Sequence, residues 1–224
     1  MTDKLVVTYP LLGIQKDFAP FITKFGFQLV NLAVVRFNFS EASSINIFRK
    51  VYNSTLMSEY QLQPWKDEYL NQATALLNEA FEDTADALFD PRFKTKQGCL
   101  DILQKITSGI YGNFLPDSTR IVFHNDQMCG FCFANITGGT IANIPLVGIS
   151  KKHQGRGLSK YLLGSVIKDL LQKAHSGILN ISEVNASVET DNSPAVKMYR
   201  HLGFKEDYCY PQAFRPCSNI DVSE

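Results

Sequence analysis

From Gln61 onward the apolar positions change period several times, and each change marks an element. Tyr69, Ala73, Leu76, Leu77, Ala80 and Phe81 recur at helical spacing and predict a helix over residues 66–80. Cys99, Leu103, Ile106 and Ile110 predict a second helix that ends near Gly112. The period then shortens to that of strands. Residues 119–124, a turn at Asn125 and Asp126, and residues 127–134 read as a hairpin. Gly138 and Gly139 turn the chain into a third run, 140–150, giving an antiparallel meander of three strands. Leu158, Leu162, Val166, Leu170 and Ala174 form the strongest helical stripe, thickened by Leu163, Ile167 and Leu171 and stopped at Gly177. A strand follows at 182–188. Next comes a short helix with a polar start, Asp191-Asn192-Ser193, an early Pro194, and the stripe Ala195, Met198, Tyr199 and Leu202. A last strand, 205–214, completes a mixed, mostly antiparallel sheet flanked by helices, an α/β (α+β) architecture.

Residues 1–60 carry two strand-like runs, 5–9 and 29–39, with a weak helical pattern on either side. Phe25-Gly26-Phe27 before a strand echoes Leu202-Gly203-Phe204 before a strand. The segment reads either as an extension that lengthens the sheet or as a decayed half-repeat. The chain accordingly divides into 1–60, a main domain over 61–215 and a tail over 216–224.

With 224 residues the chain can bury roughly 70% of its unfolded surface, so its core needs no disulfide or metal staple. Its 22 Lys+Arg balance 22 Asp+Glu, which leaves no long-range field to gather nucleic acid or an anionic membrane. No apolar run is long enough for a signal-peptide core or a membrane span, and the sequence reads as cytoplasmic. Five cysteines without a secreted-scaffold rhythm fit reduced thiols. Cys129-Gly-Phe-Cys132 has the spacing of half a zinc site, but no second pair accompanies it. On a strand such positions face opposite ways, so two packed thiols are expected and no metal.

The segment that carries chemistry runs from Ile144 to Ser159, strand through glycine turn into the strongest helix. Free N–H groups at such a helix start converge on one point, where the dipole also favours an anion; Gly155 and Gly157 let backbone approach phosphate oxygens. The triphosphate-binding and dinucleotide glycine patterns are both absent. Between Asp126 and Asp169 there is no carboxylate, while Lys151, Lys152, Arg156, Lys160 and Lys168 all fall there. The alternative is a glycine turn that merely starts a helix with solvated lysines.

These residues resemble the GNAT superfamily of acyl-CoA-dependent N-acetyltransferases. Gln154-Gly-Arg-Gly157-Leu-Ser159 is similar to its pyrophosphate loop, with Ser159 in place of a small apolar residue. The block from Val188 through Asn192, Ala195 and Tyr199 to Gly203-Phe204 is similar to its later motif. The resemblance spans about 61–214 and leaves the first 60 residues uncovered. It implies acetyl-CoA as co-substrate. The main chain of Val147, Gly148 and Ile149 would pair with the pantetheine arm, where Pro145 marks the splay of the sheet. Gln154, Gly155, Arg156, Gly157, Leu158, Ser159 and Lys160 would hold the pyrophosphate, with Asn192 and Tyr199 lining the same side. Tyr199 would stand near the thioester sulfur; a phenol near 10 protonates a thiolate near 8.5 only uphill, so hydrogen bonding to developing charge can be its whole role.

The resemblance leaves the base open. The family's usual Glu positions are empty, Ser187 standing five before Asn192, and Glu189, Asp191 or an ordered water remain as candidates. Glu79, Glu82, Asp83, Asp86 and Asp90 form an acidic run in the loop that borders the acceptor cleft in this family. Such a run is either solvated surface or an attraction for a cationic amine. The expected reaction is transfer of acetyl to a primary amine, with no nucleic-acid or membrane partner and a homodimer allowed. A catalytically silent acyl-CoA-binding module is the alternative, and a cysteine hydrolase using Cys129 or Cys132 lacks a nearby histidine in the sequence.

Overall fold

A computed structural model describes residues 6–40 and 58–216; Leu5, Cys217 and the tail beyond lie outside them. Numbering strands along the chain, one sheet has the order β1 (Val6–Pro10), β11 (Lys205–Pro216), β2 (Gln28–Asn38), β10 (Glu183–Glu189), β8 (Ile141–Asn143), β7 (Asn135–Gly138) and β4 (Asn113–Phe114). The other has β3 (Gln61–Pro64), β5 (Arg120–His124), β6 (Gln127–Cys132) and β9 (Val147–Ile149). The helices that matter below are α1 (Leu70–Phe81), α2 (Asp86–Phe89), α3 (Lys96–Thr107), α4 (Leu158–His175) and α5 (Ser193–His201). The mixed sheet with flanking helices agrees with the architecture read from the sequence. Among the described residues no helix is long and apolar enough to cross a membrane.

Side-chain alternation on the second sheet builds two cores. Ile121, Phe123, Phe131 and Phe133 face α1 and α3, packing with Leu77, Leu103 and Ile106. Val122, Cys132 and Ala134 face the other way, onto Leu158, Leu162, Val166 and Ile167 of α4. Cys129 departs from the expected alternation and shares this second core with Cys132. The cause is a bulge: Val122 pairs with Gly130 and Phe123 with Met128, so Cys129 is the extra residue and its side chain flips faces. Burial pushes the Cys129 thiol up to about 11 and the Cys132 thiol higher still, so both are packed groups rather than nucleophiles.

The expected third strand of the meander is two strands in different sheets. Its first part, β8, runs parallel to β10, with Ile141 opposite Glu183. Its second part, β9, runs antiparallel to β6, with Val147 opposite Cys132. The change of sheet occurs around Pro145, which has no N–H to continue either ladder. The second helix also stops earlier than expected, at Thr107, and Ile110 is exposed beyond it.

The N-terminal strand β2 does not lengthen the sheet at its edge. It inserts between β10 and β11, with Val35 opposite both Ala186 and Glu206. Arg36 clamps it on both sides, donating to Glu183 at 3.1 Å and to Asp207 at 2.6 Å. Two β–helix–β units thus face each other. Residues 6–38 run from β1 through helical turns at Gly13–Phe18, Ala19–Ile22 and Thr23–Phe25 to a left-handed Gly26 and β2. Residues 183–216 run from β10 through α5 to a left-handed Gly203 and β11. Exchanging the units reverses the order β1-β11-β2-β10 onto itself, and every pairing in it is antiparallel. Phe25-Gly26-Phe27 and Leu202-Gly203-Phe204 stand at corresponding turns of the two units.

Candidate active site

Where β8 and β9 part, the chain passes from one sheet to the other, and β9 and β10 share no ladder. Ile144 still donates its N–H to Asn185 O at 2.9 Å on the β10 side, whereas the Leu146 carbonyl already accepts from Phe133 at 2.9 Å on the β6 side. Beyond this point β9 is the edge of its sheet, with β6 on one side only. Such an edge is the kind of element to which an extended ligand can add as a further strand.

The chain leaves β9 through a 3-10 turn at Lys151–His153 and enters α4 through Gly155 and Gly157, whose φ values are +75° and +79°. A side chain at either φ is strained, and nothing stands within 4 Å of where a Cβ would lie, so the outer face of the turn is open. Leu158 is buried as the first residue of α4, whereas Gln154, Gly155 and Arg156 are exposed. The turn is anchored from below: Gln154 Nε2 donates to Ile149 O at 3.1 Å, and Ser150 N–H to Cys129 O at 2.9 Å. Such a helix start is suited to an anion. Lys160 lies in the first turn of α4. Lys151 is turned elsewhere, its ammonium pairing with Glu82 at 3.2 Å and Asp83 at 3.0 Å while its N–H donates to Glu79 at 2.8 Å.

The acidic run therefore separates into distinct roles. Glu79, Glu82 and Asp83 tie the α1 end to the glycine loop. Asp90 caps the following 3-10 turn and holds Arg92 at 2.7 Å. Asp86, at the start of α2, is different: loss of hydration, then the Glu189 charge, raises its carboxyl to about 6. Burial and neighbouring Asp191 raise Glu189 as well. Glu189 and Asp191 line an open cleft of about 610 Å³ together with Glu82, Asp83, Asn192 and Lys94. Its lining carries four carboxylates against the single cation of Lys94.

Tyr199 projects from α5 into the core edge, where its ring packs edge-on against Phe204 at 5.1 Å. Burial, with Cys132 and Asp86 nearby, pushes its phenol well above the ordinary value. The phenol therefore stays neutral and gives up its proton less readily than a free one. Asn192 has a structural task. Its Oδ1 caps α5 by accepting from Ala195 N–H at 3.2 Å, and its side chain is exposed whereas Tyr199 is buried. Asp86 is the group that sequence reasoning counted only as one charge among five. Its distinguishing signal was its place between the apolar Ala85 and Ala87-Leu88-Phe89, which foretells burial. Among the described residues no group of three His, Cys, Asp or Glu side chains is placed to hold a metal ion.

Residues 116–206 match the family described as acetyltransferase (GNAT) domain. Mycothiol acetyltransferase of Mycolicibacterium vanbaalenii is 34% identical over 98 residues, which is 41% of this chain and 31% of the relative. That of Renibacterium salmoninarum is 34% identical over 102 residues, 41% of this chain and 28% of the relative. The chain thus matches less than a third of the length of these relatives. Among solved structures, a GCN5-related N-acetyltransferase from Sphaerobacter thermophilus superposes with a TM-score of 0.64 at 16% identity, covering 95% of this chain and 60% of that one. A tandem GNAT protein from the clavulanic acid biosynthesis pathway gives 0.60 at 15% identity, covering 97% and 65%. Residues 116–206 of this chain thus match the GNAT acetyltransferase domain.

Proposed function

We propose that the chain transfers an acetyl group from acetyl-CoA to a primary amine, by direct attack of the amine on the thioester. The observation that carries this reading is the succession of an edge strand, β9, and the open glycine turn that starts α4. Val147, Gly148 and Ile149 would bind the pantetheine arm through main-chain hydrogen bonds. Amide groups from Gly155 to Lys160 would hold the pyrophosphate, assisted by Arg156. Amides bonded to a charged phosphate contribute about 1.5–3 kcal/mol each, so three or four supply most of a micromolar affinity, roughly 8 kcal/mol.

Acetyl-CoA supplies an activated thioester; the protein supplies position, a proton acceptor and charge stabilisation. Asp86 is the base this reading favours, with Glu189 beside it holding its proton affinity up. A carboxyl near 6 is ionised at pH 7, yet basic enough to take a proton from an attacking amine. Tyr199 donates a hydrogen bond to the sulfur as negative charge develops there. Deprotonating a lysine-like ammonium near 10.4 with such a base costs about 6 kcal/mol, against about 2–3 kcal/mol for an α-amine near 8. The acceptor favoured is therefore an amine of low pKa. Glu189, Asp191 and the partly paired Glu82 and Asp83 in the cleft would draw it in as a cation.

The test is a thiol-release assay with acetyl-CoA across a panel of α-amino and side-chain amines, joined to calorimetry of acetyl-CoA with the wild type and Gly157→Asp. Release with low-pKa amines, and binding lost in the variant, are expected. Equal affinity for both proteins, or no thiol release with any amine, overturns the reading.

A further inference from the structure

Beneath the glycine turn, Arg156 meets a cluster of rings that the site described above does not use. Tyr60, just ahead of β3, is only 4% exposed. Its hydroxyl lies 3.0 Å from His153 Nδ1 and 3.3 Å from Arg156 Nη1. His124, at the end of β5, completes a ring cluster, with centroids 5.1 Å from both Tyr60 and His153. The phenol is held from two neighbouring strands, because Gln61 pairs with Phe123. We propose that Tyr60 is the positioning residue of the cofactor loop, its single hydroxyl tying His153 and Arg156 on either side of Gly155 so that the turn is held in its anion-binding form before any ligand arrives.

The chemistry of the hydroxyl fits both partners at once. It accepts from the guanidinium of Arg156 and donates to the unprotonated Nδ1 of His153, one lone pair and one proton each in use. Loss of hydration, followed by His124, Arg156 and Lys152, keeps the His153 imidazole below its ordinary value, which favours the neutral acceptor form; Glu79 opposes this more weakly. The need for such a tie comes from the glycines. Gly155 and Gly157 have nothing packed on their outer faces, and glycine gives up more conformational freedom on ordering than any other residue. A loop already fixed from below binds more tightly because less order is lost on binding.

This inference rests on the reading that the turn binds acetyl-CoA, so its experiment has two arms. Tyr60→Phe keeps the ring and removes the hydroxyl. In calorimetry the variant should bind acetyl-CoA about 5- to 30-fold more weakly, the loss expected for one or two hydrogen bonds, with turnover at saturating acetyl-CoA and acceptor KM within about twofold of the wild type. In the protein without ligand, hydrogen exchange of the amides of residues 153–158 should quicken while β3 and β5 stay protected. Unchanged exchange in the loop overturns the proposal, as does faster exchange spread over β3 and β5, which would make Tyr60 a plain core residue. If the wild type binds no acetyl-CoA, the function proposed above fails, and the exchange arm still decides the role of Tyr60.

Discussion

The two β–helix–β units follow the same path and meet different surroundings. Counting back from Gly26 and Gly203, Phe25 stands where Leu202 does, Ile22 where Tyr199 does, Phe21 where Met198 does. Met198, Tyr199 and Leu202 are buried under α4 and the strands around Cys132. Phe21 and Phe25 are 58% and 68% exposed, on helical turns that contain no buried residue. One unit therefore packs its helix onto the core and encloses a phenol there, while the other contributes a strand to the sheet and leaves its aromatic rings exposed. Repeating a backbone path does not repeat a site.

The comparison breaks most completely at β2. Val35→Asp would set a charge on a side chain that is 2% exposed, at a cost above about 4 kcal/mol. Cooperative unfolding and acetyl-CoA binding should be lost together. Persistence of a folded, binding-competent remainder over residues 58–216 would show the N-terminal unit to be separable. Next in size is Asp86→Asn, which should lower turnover by about 10²–10⁴-fold and abolish the rise of activity with pH through about 6.

Asp86→Asn should also change stability in the opposite sense. Because the folded pKa lies above the ordinary 3.8, the stabilisation linked to Asp86 is full below about pH 4 and is lost as pH rises through about 6. At pH 7 the enclosed charge therefore costs stability, and the variant should melt higher than the wild type there. At pH 4 the two should melt alike. Equal turnover, or a midpoint difference independent of pH, removes Asp86 from the mechanism.

Tyr199→Phe should lower turnover by about 10²-fold with acetyl-CoA affinity nearly unchanged, whereas Ile22→Ala, at the matching place in the other unit, should leave turnover alone. A drop in melting temperature with intact turnover would reduce Tyr199 to packing. The smallest effect is expected at Phe21→Ala, within about 0.5 kcal/mol in denaturant unfolding, against about 2–4 kcal/mol for Met198→Ala. Similar losses at both positions would mean that the outer face of the N-terminal unit is covered.

What could be read in advance followed local chemistry. The α4 stripe, the glycine turn and the Asn192–Pro194 start of α5 were legible because spacing, capping and turn preferences all act within a few residues. The placement of β2 was not, since its neighbours β10 and β11 lie far away in sequence and nothing in an apolar run names its partner. The shared face of Cys129 and Cys132 was hidden by a one-residue bulge, which inverts alternation without altering composition. Asp86 resembled four other carboxylates. Only its enclosure near Glu189 and Tyr199 separates it from Glu82 and Asp83, which are taken up by Lys151.

The insertion of β2 sets a timetable for the making of the protein. Gln28 pairs with Phe214 and Arg36 with Lys205, separations of 214 − 28 = 186 and 205 − 36 = 169 residues. At about 5–20 residues per second, β2 leaves the ribosome roughly 10–35 s before β11 can bond to it. Through that interval an apolar strand must stay soluble without its hydrogen-bonding partner. The last ladder to close is also the one that follows α5 and Tyr199, so this sheet is complete only once β11 has emerged. Folding of such non-local pairings is slow, and refolding from denaturant should show β2–β11 protection appearing after that of β5 and β6.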